Sequence, residues 1–145
     1  MKSKAPLVLI EQAVMLAVFA VAAVLCLQAF VRSAELSKEI SERDTALLYA
    51  QSAAETLKAC GGDMAHAQTA AAELLGGRVE QGLWYLFYDE NWEVVSDWPE
   101  AAFVLNAQGV PTEVEGLWKA EVWVDTCGDR EETLCSLPIA WQGVT

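Results

Sequence analysis

At 145 residues the chain has room for one small domain beyond an anchor, and its 54% hydrophobic content sits oddly with a formal net charge of −12. Division resolves the conflict: residues 1–31 carry Lys2, Lys4 and Glu11, residues 32–78 carry seven acids and five bases, and residues 79–145 carry thirteen acids against Lys119 and Arg130 alone. So acidic a C-terminal region excludes recognition of a phosphate backbone, which needs clustered Lys and Arg, and direct nucleic-acid binding is not expected. Anionic headgroups would repel it too, and the acidity reads as solubility and an extracytoplasmic address.

The chain opens with Lys2, Lys4 and Pro6, followed by an apolar run from Leu7 to Val31 that Arg32 closes. Its only polar members are Glu11, Gln12 and Gln28. A helix of that length, at ~1.5 Å per residue, spans the ~30 Å core of a bilayer. The run is longer than the ~7–15 apolar residues of a cleaved signal, and Leu27-Gln28-Ala29 offers no Ala-x-Ala site, which favours a retained anchor. Positive charge before the run and mixed charge after it place the N-terminus in the cytoplasm and the C-terminal domain outside.

No Gly or Pro interrupts the chain from Arg32 to Gly61-Gly62, and Ala, Leu, Glu, Lys and Gln dominate the stretch. Leu36, Ile40, Leu47, Ala50, Ala54 and Leu57 fall on one helical stripe, with Lys38, Glu39, Glu42, Arg43, Glu55 and Lys58 opposite. One helix is expected from about Leu7 to Cys60, apolar all round and then amphipathic, a rod on the order of 80 Å. Gly61-Gly62 ends it, Asp63 caps a second helix over Met64–Leu75, and Gly76-Gly77 ends that one.

From Arg78 onward, aromatic and β-branched residues and turn residues become frequent, and all six Trp lie here. Leu83–Tyr88 and Glu93–Asp97 flank Asp89-Glu90-Asn91-Trp92 as a hairpin. Trp98-Pro99-Glu100 breaks the chain. Ala102–Leu105 reads as a strand followed by an Asn106–Pro111 loop. Leu117–Thr126 alternates, with Trp118, Ala120, Val122, Val124 and Thr126 on its more apolar face. A last strand covers about Ser136–Gln142. The expected fold class is α+β: a long N-terminal helix packed on an antiparallel sheet of four or five strands. The parts are 1–31, leader and membrane half; 32–78, amphipathic continuation and second helix; and 79–145, acidic sheet domain.

Chemistry is sparse. The lone His66 sits in an Ala-rich helix, and no Gly-x-Ser-x-Gly, phosphate loop or His-Glu-x-x-His occurs, so no enzyme activity and no cofactor are expected. Cys26 lies inside the apolar run. Cys127 and Cys135 bracket a polar loop and are the candidate disulfide of an exported domain, with Cys60 an alternative partner to either. Without Cys-x-x-Cys pairs a zinc site is not expected. Asp89-Glu90-Asn91-Trp92-Glu93 and Asp125…Asp129-Arg130-Glu131-Glu132 hold hard oxygen ligands but lack EF-hand spacing, and a solvated turn is the simpler reading of each. Trp92 and Trp98, beside turns, are the Trp expected to be exposed.

Leu9-Ile10-Glu11 at the head of the apolar run resembles the Leu-Ile-Glu of type IV pilin and type II secretion pseudopilin precursors. The long helix, apolar and then amphipathic, followed by a short antiparallel sheet, resembles the architecture of that superfamily. The resemblance implies a structural subunit, here a minor one with a non-standard leader, in a pilus, secretion or DNA-uptake filament. Its partners would be other pilin-like subunits, the assembly machinery and the lipid bilayer. It also implies that Glu11 pairs with a neighbouring subunit's N-terminal amine, which gives an otherwise costly carboxylate a reason. Placing Glu11 fifth after processing sets the junction between Pro6 and Leu7, where no Gly precedes the cut. The other readings of the same residues are a Glu11 resting at the cytoplasmic interface and a single-pass anchor for a binding or sensing module.

Overall fold

The computed structural model describes residues 5–128 and 131–143. Helix formers without a Gly or Pro breaker produce one helix, α1 (Ala5–Cys60). It ends where Gly61 and Gly62 take positive φ, with the Gly61 N–H donating to the Leu57 carbonyl at 3.3 Å. Helix α2 (Met64–Leu75) starts at Asp63, whose Oδ1 accepts from the His66 N–H at 2.8 Å, and ends at Gly76.

The chain divides into two units, Met1–Ser41 and Glu42–Thr145. In the first, residues 6–41 of α1 are exposed throughout. Nothing within that unit covers its apolar side chains, and the helix is long and apolar enough to cross a membrane once.

The second unit contains strands β1 (Arg78–Glu80), β2 (Leu83–Tyr88), β3 (Val94–Val95), β4 (Phe103–Val110), β5 (Leu117–Thr126) and β6 (Thr133–Gln142). They form one antiparallel sheet in the order β1-β2-β4-β5-β6, with β3 also on β2. Because β4 occupies one edge of β2 over its whole length, β1 and β3 share the other edge, on either side of Leu86. At the far edge, β6 carries Pro138 opposite Glu121.

One sheet face is apolar at alternate positions: Trp84, Leu86 and Tyr88; Phe103, Leu105 and Ala107; Ala120, Val122 and Val124; Ile139 and Trp141. It forms a single core with Ala46, Ala50, Ala53, Ala54 and Leu57 of α1 and with Ala67 and Ala71 of α2. Two buried indoles satisfy carbonyls left over at helix ends. Trp84 Nε1 donates to Gly76 O at 3.0 Å, and Trp141 Nε1 donates to Gly62 O at 3.1 Å. Buried Gln68 is likewise satisfied, donating to the carbonyls of Gly82 and Ala107.

Several expectations are corrected. The packed stripe of α1 is Ala46, Ala50, Ala53, Ala54 and Leu57, whereas Leu36, Ile40 and Leu47 are exposed. Small residues take these inner positions of α1, while the sheet supplies the large side chains of the same core, among them Trp84 and Tyr88. The expected Asn106–Pro111 loop is mostly strand, since β4 runs to Val110. Strand β1 was not anticipated and brings the sheet to six strands. The hairpin forms, but its second strand shrinks to Val94–Val95. Trp98-Pro99-Glu100 is a 3-10 turn.

Candidate functional site

Pro6, Leu7, Leu9, Ile10 and Glu11 lie in the first turns of α1. Leu7 and Leu9 are 72% and 71% exposed, and Glu11 is exposed with no ion pair among the described residues. Glu11, Met15, Val18, Ala22 and Leu25 recur at spacings of four and three and so share one helix face. That face presents a carboxylate at one end of an otherwise apolar stripe. A carboxylate in such a setting can accept hydrogen bonds and can pair with a cation. Lys2 and Lys4 are outside the described residues.

The expected Cys127–Cys135 disulfide is not formed, and all four cysteines are free thiols. The strand register gives the reason. Cys135 pairs with Val124, three residues from Cys127, and the Cys127 N–H donates to Ala102 O at 2.7 Å on the β4 side. Three strand residues cover about 10 Å, beyond the ~7 Å Cα separation that a disulfide tolerates. Burial pushes both thiols above the ordinary cysteine value.

The sheet face turned away from the helices carries the polar groups. At its centre is Asp125, half-buried. Its Oδ2 accepts from Trp123 Nε1 at 2.8 Å and from Asn106 Nδ2 at 3.2 Å, and its Oδ1 accepts from Thr133 Oγ1 at 2.7 Å. Nearby, Glu121 Oε1 accepts from Ser136 Oγ at 2.6 Å. Trp98 is 53% exposed and meets the Phe87 ring edge-on, with centroids 5.7 Å apart. Two hollows meet at Thr133. One, of about 390 Å³, is lined by Trp98, Val104, Asp125, Thr126, Glu131 and Thr133. The other, of about 280 Å³, includes Gln108, Glu121, Trp123 and Ser136. Together they make a trough running along β5.

The first acidic stretch is a turn, and of the second Asp125 belongs to β5. Asp89 Oδ1 accepts from the N–H groups of Asn91 and Glu93, an Asx turn that shapes the hairpin tip. Glu132 pairs with Arg43 of α1. Asp129 and Arg130 fall outside the described residues, and no metal-binding cluster of His, Cys, Asp or Glu occurs among the described ones. His66 is exposed on α2.

No protein family, no curated protein and no solved structure matches the chain. Lys119, Glu121, Trp123 and Asp125 fall on the face of β5 opposite its apolar one, and Trp98 is exposed as expected, whereas Trp92, expected to be exposed with it, is half-buried against Tyr49 and Phe103. Asn106 was missed because Asn beside Gly109 and Pro111 reads as a turn. Only the Asp125 carboxylate across the strand pair explains how it sits buried in β4.

Proposed function

We propose that this chain is a minor pilin-like or pseudopilin-like structural subunit. It assembles through its N-terminal helix into a type IV pilus, secretion or DNA-uptake filament. The observation that carries this reading is the exposed apolar face of α1 with Glu11 at its head, on a helix that runs unbroken to the alanines beneath an antiparallel sheet. A single span would need only the first part of that helix. The exposure of Leu36 and Ile40 beyond the bilayer-length run supports packing against other helices rather than lipid alone. In this reading the N-terminus is cytoplasmic, the acidic domain is extracytoplasmic, the partners are pilin-like subunits, assembly machinery and bilayer lipid, and no catalysis is involved.

The test is Glu11→Ala in the full chain in its native membrane. Loss of co-purification with pilin-like partners at unchanged expression is the expected result, because the unmatched amine loses its counter-charge. A substitution that changes only expression level leaves a plain anchor. N-terminal sequencing of the native protein adds a second reading, with a start at Leu7 expected. The trough beneath Trp98 favours a second reading, a membrane-anchored binding module that never enters a filament.

A further inference from the structure

We propose that the trough on the outer sheet face is a docking site for an extended cationic peptide, whose lysine or arginine side chains lie against Trp98 and the Asp125, Glu121 and Glu131 carboxylates. This inference deepens the second reading, the binding module, and does not depend on whether the helix enters a filament.

Three observations converge on it. The first is the ring. Trp98 leaves more than half its surface in water on a turn stiffened by Pro99, and the edge of Phe87 holds it at the rim of the larger hollow. An exposed indole over a hollow is the best aromatic face for an ammonium or guanidinium group. The second is the charge. None of the described residues lining the two hollows is basic, while Asp125, Glu131 and Glu121 all contribute to them. The third is how Asp125 is held. Its three side-chain partners among the described residues, Asn106, Trp123 and Thr133, are neutral donors, so they orient the carboxylate without neutralising it.

Spacing selects an extended peptide over a small cation. Glu121 and Asp125 are four residues apart on the same face of β5, about 13 Å by strand rise. Side chains on one side of an extended peptide repeat every ~6.6 Å, so alternate same-side residues reach both carboxylates. A neutral glycan leaves the carboxylates unmatched.

The experiment titrates a fluorescein-labelled Lys-Ser-Arg-Ser repeat peptide into the full chain in detergent micelles. Its Gly-Ser analogue and a neutral oligosaccharide serve as comparisons. The expected result is binding of the cationic peptide alone, weakening as salt is added. Trp98→Ala and the pair Glu121→Gln/Glu131→Gln should each lower affinity roughly tenfold. The pair Glu113→Gln/Glu115→Gln removes the same charge from the exposed β4–β5 connection and should change affinity less than about twofold. Equal losses from the two Glu pairs would reduce the effect to bulk charge and overturn the proposal. An unchanged affinity in Trp98→Ala, or binding of the oligosaccharide in place of the peptide, overturns it as well.

Discussion

Trp92 shows how a turn residue becomes part of a core. Its ring stacks on Phe103 at 4.2 Å between centroids and on Tyr49 of α1 at 5.1 Å, and its carbonyl accepts from the Tyr49 hydroxyl at 3.3 Å. The backbone there sits at φ 63, a conformation a bulky residue avoids, and the stacked rings hold it. Trp92→Ala should therefore cost about 3 kcal/mol, measured as a shift in the urea midpoint of the detergent-solubilised chain. Trp92→Gly relaxes the backbone but loses the same rings, and should recover only part of that loss. Beside it, Tyr88 is buried, and this, with the nearby Tyr49, pushes its phenol well above 10. The neutral form is the one the core accepts. The folded state thus holds its proton after the unfolded chain has released it, and stability falls as pH rises past about 10. Tyr88→Phe should flatten that fall, seen as midpoints that converge with and then exceed those of the parent between about pH 8 and pH 11.

At the scale of elements, α1 meets the sheet through alanines. Ala46 and Ala50 are fully buried, and Ala53 nearly so, in the core shared with the sheet. Enlarging one of them overfills the core they share with the sheet, so Ala50→Leu should destabilise by about 1–3 kcal/mol, read by thermal melting. This inner stripe was only half legible in the sequence. Hydropathy weights leucine over alanine, so Leu36, Ile40 and Leu47 drew the stripe toward a flank that the structure leaves open. Elements with strong local punctuation were legible to the residue: α2 between Asp63 and Gly76, and β5 through its alternation. Strand β4 was not, because its second half depends on contacts from elsewhere. Asn106 needs Asp125, and Gly109 sits under Met64, whose Cγ would lie 3.0 Å from an added Cβ. The Asp125 cluster was invisible for the same reason, since strand pairing assembles it from three strands.

For the molecule as a whole, the composition conflict noted at the start becomes a physical division. The segment before Glu42 has no core of its own, and the segment after it has its own helix–sheet core. Removing residues 1–41 should leave a domain that folds and stays monomeric without detergent, checked by gel filtration and near-ultraviolet circular dichroism. The intact chain should require detergent or lipid.

The two borders of the sheet carry a further consequence. An exposed strand edge recruits other strands, which is how proteins crowded on a membrane turn into insoluble aggregates. Here one border is split, with β1 and β3 covering β2 in short pieces on either side of Leu86. The other border presents Pro138, which has no N–H to offer an incoming chain. Neither border thus offers an incoming strand of a second copy a continuous ladder of unpaired N–H and C=O groups.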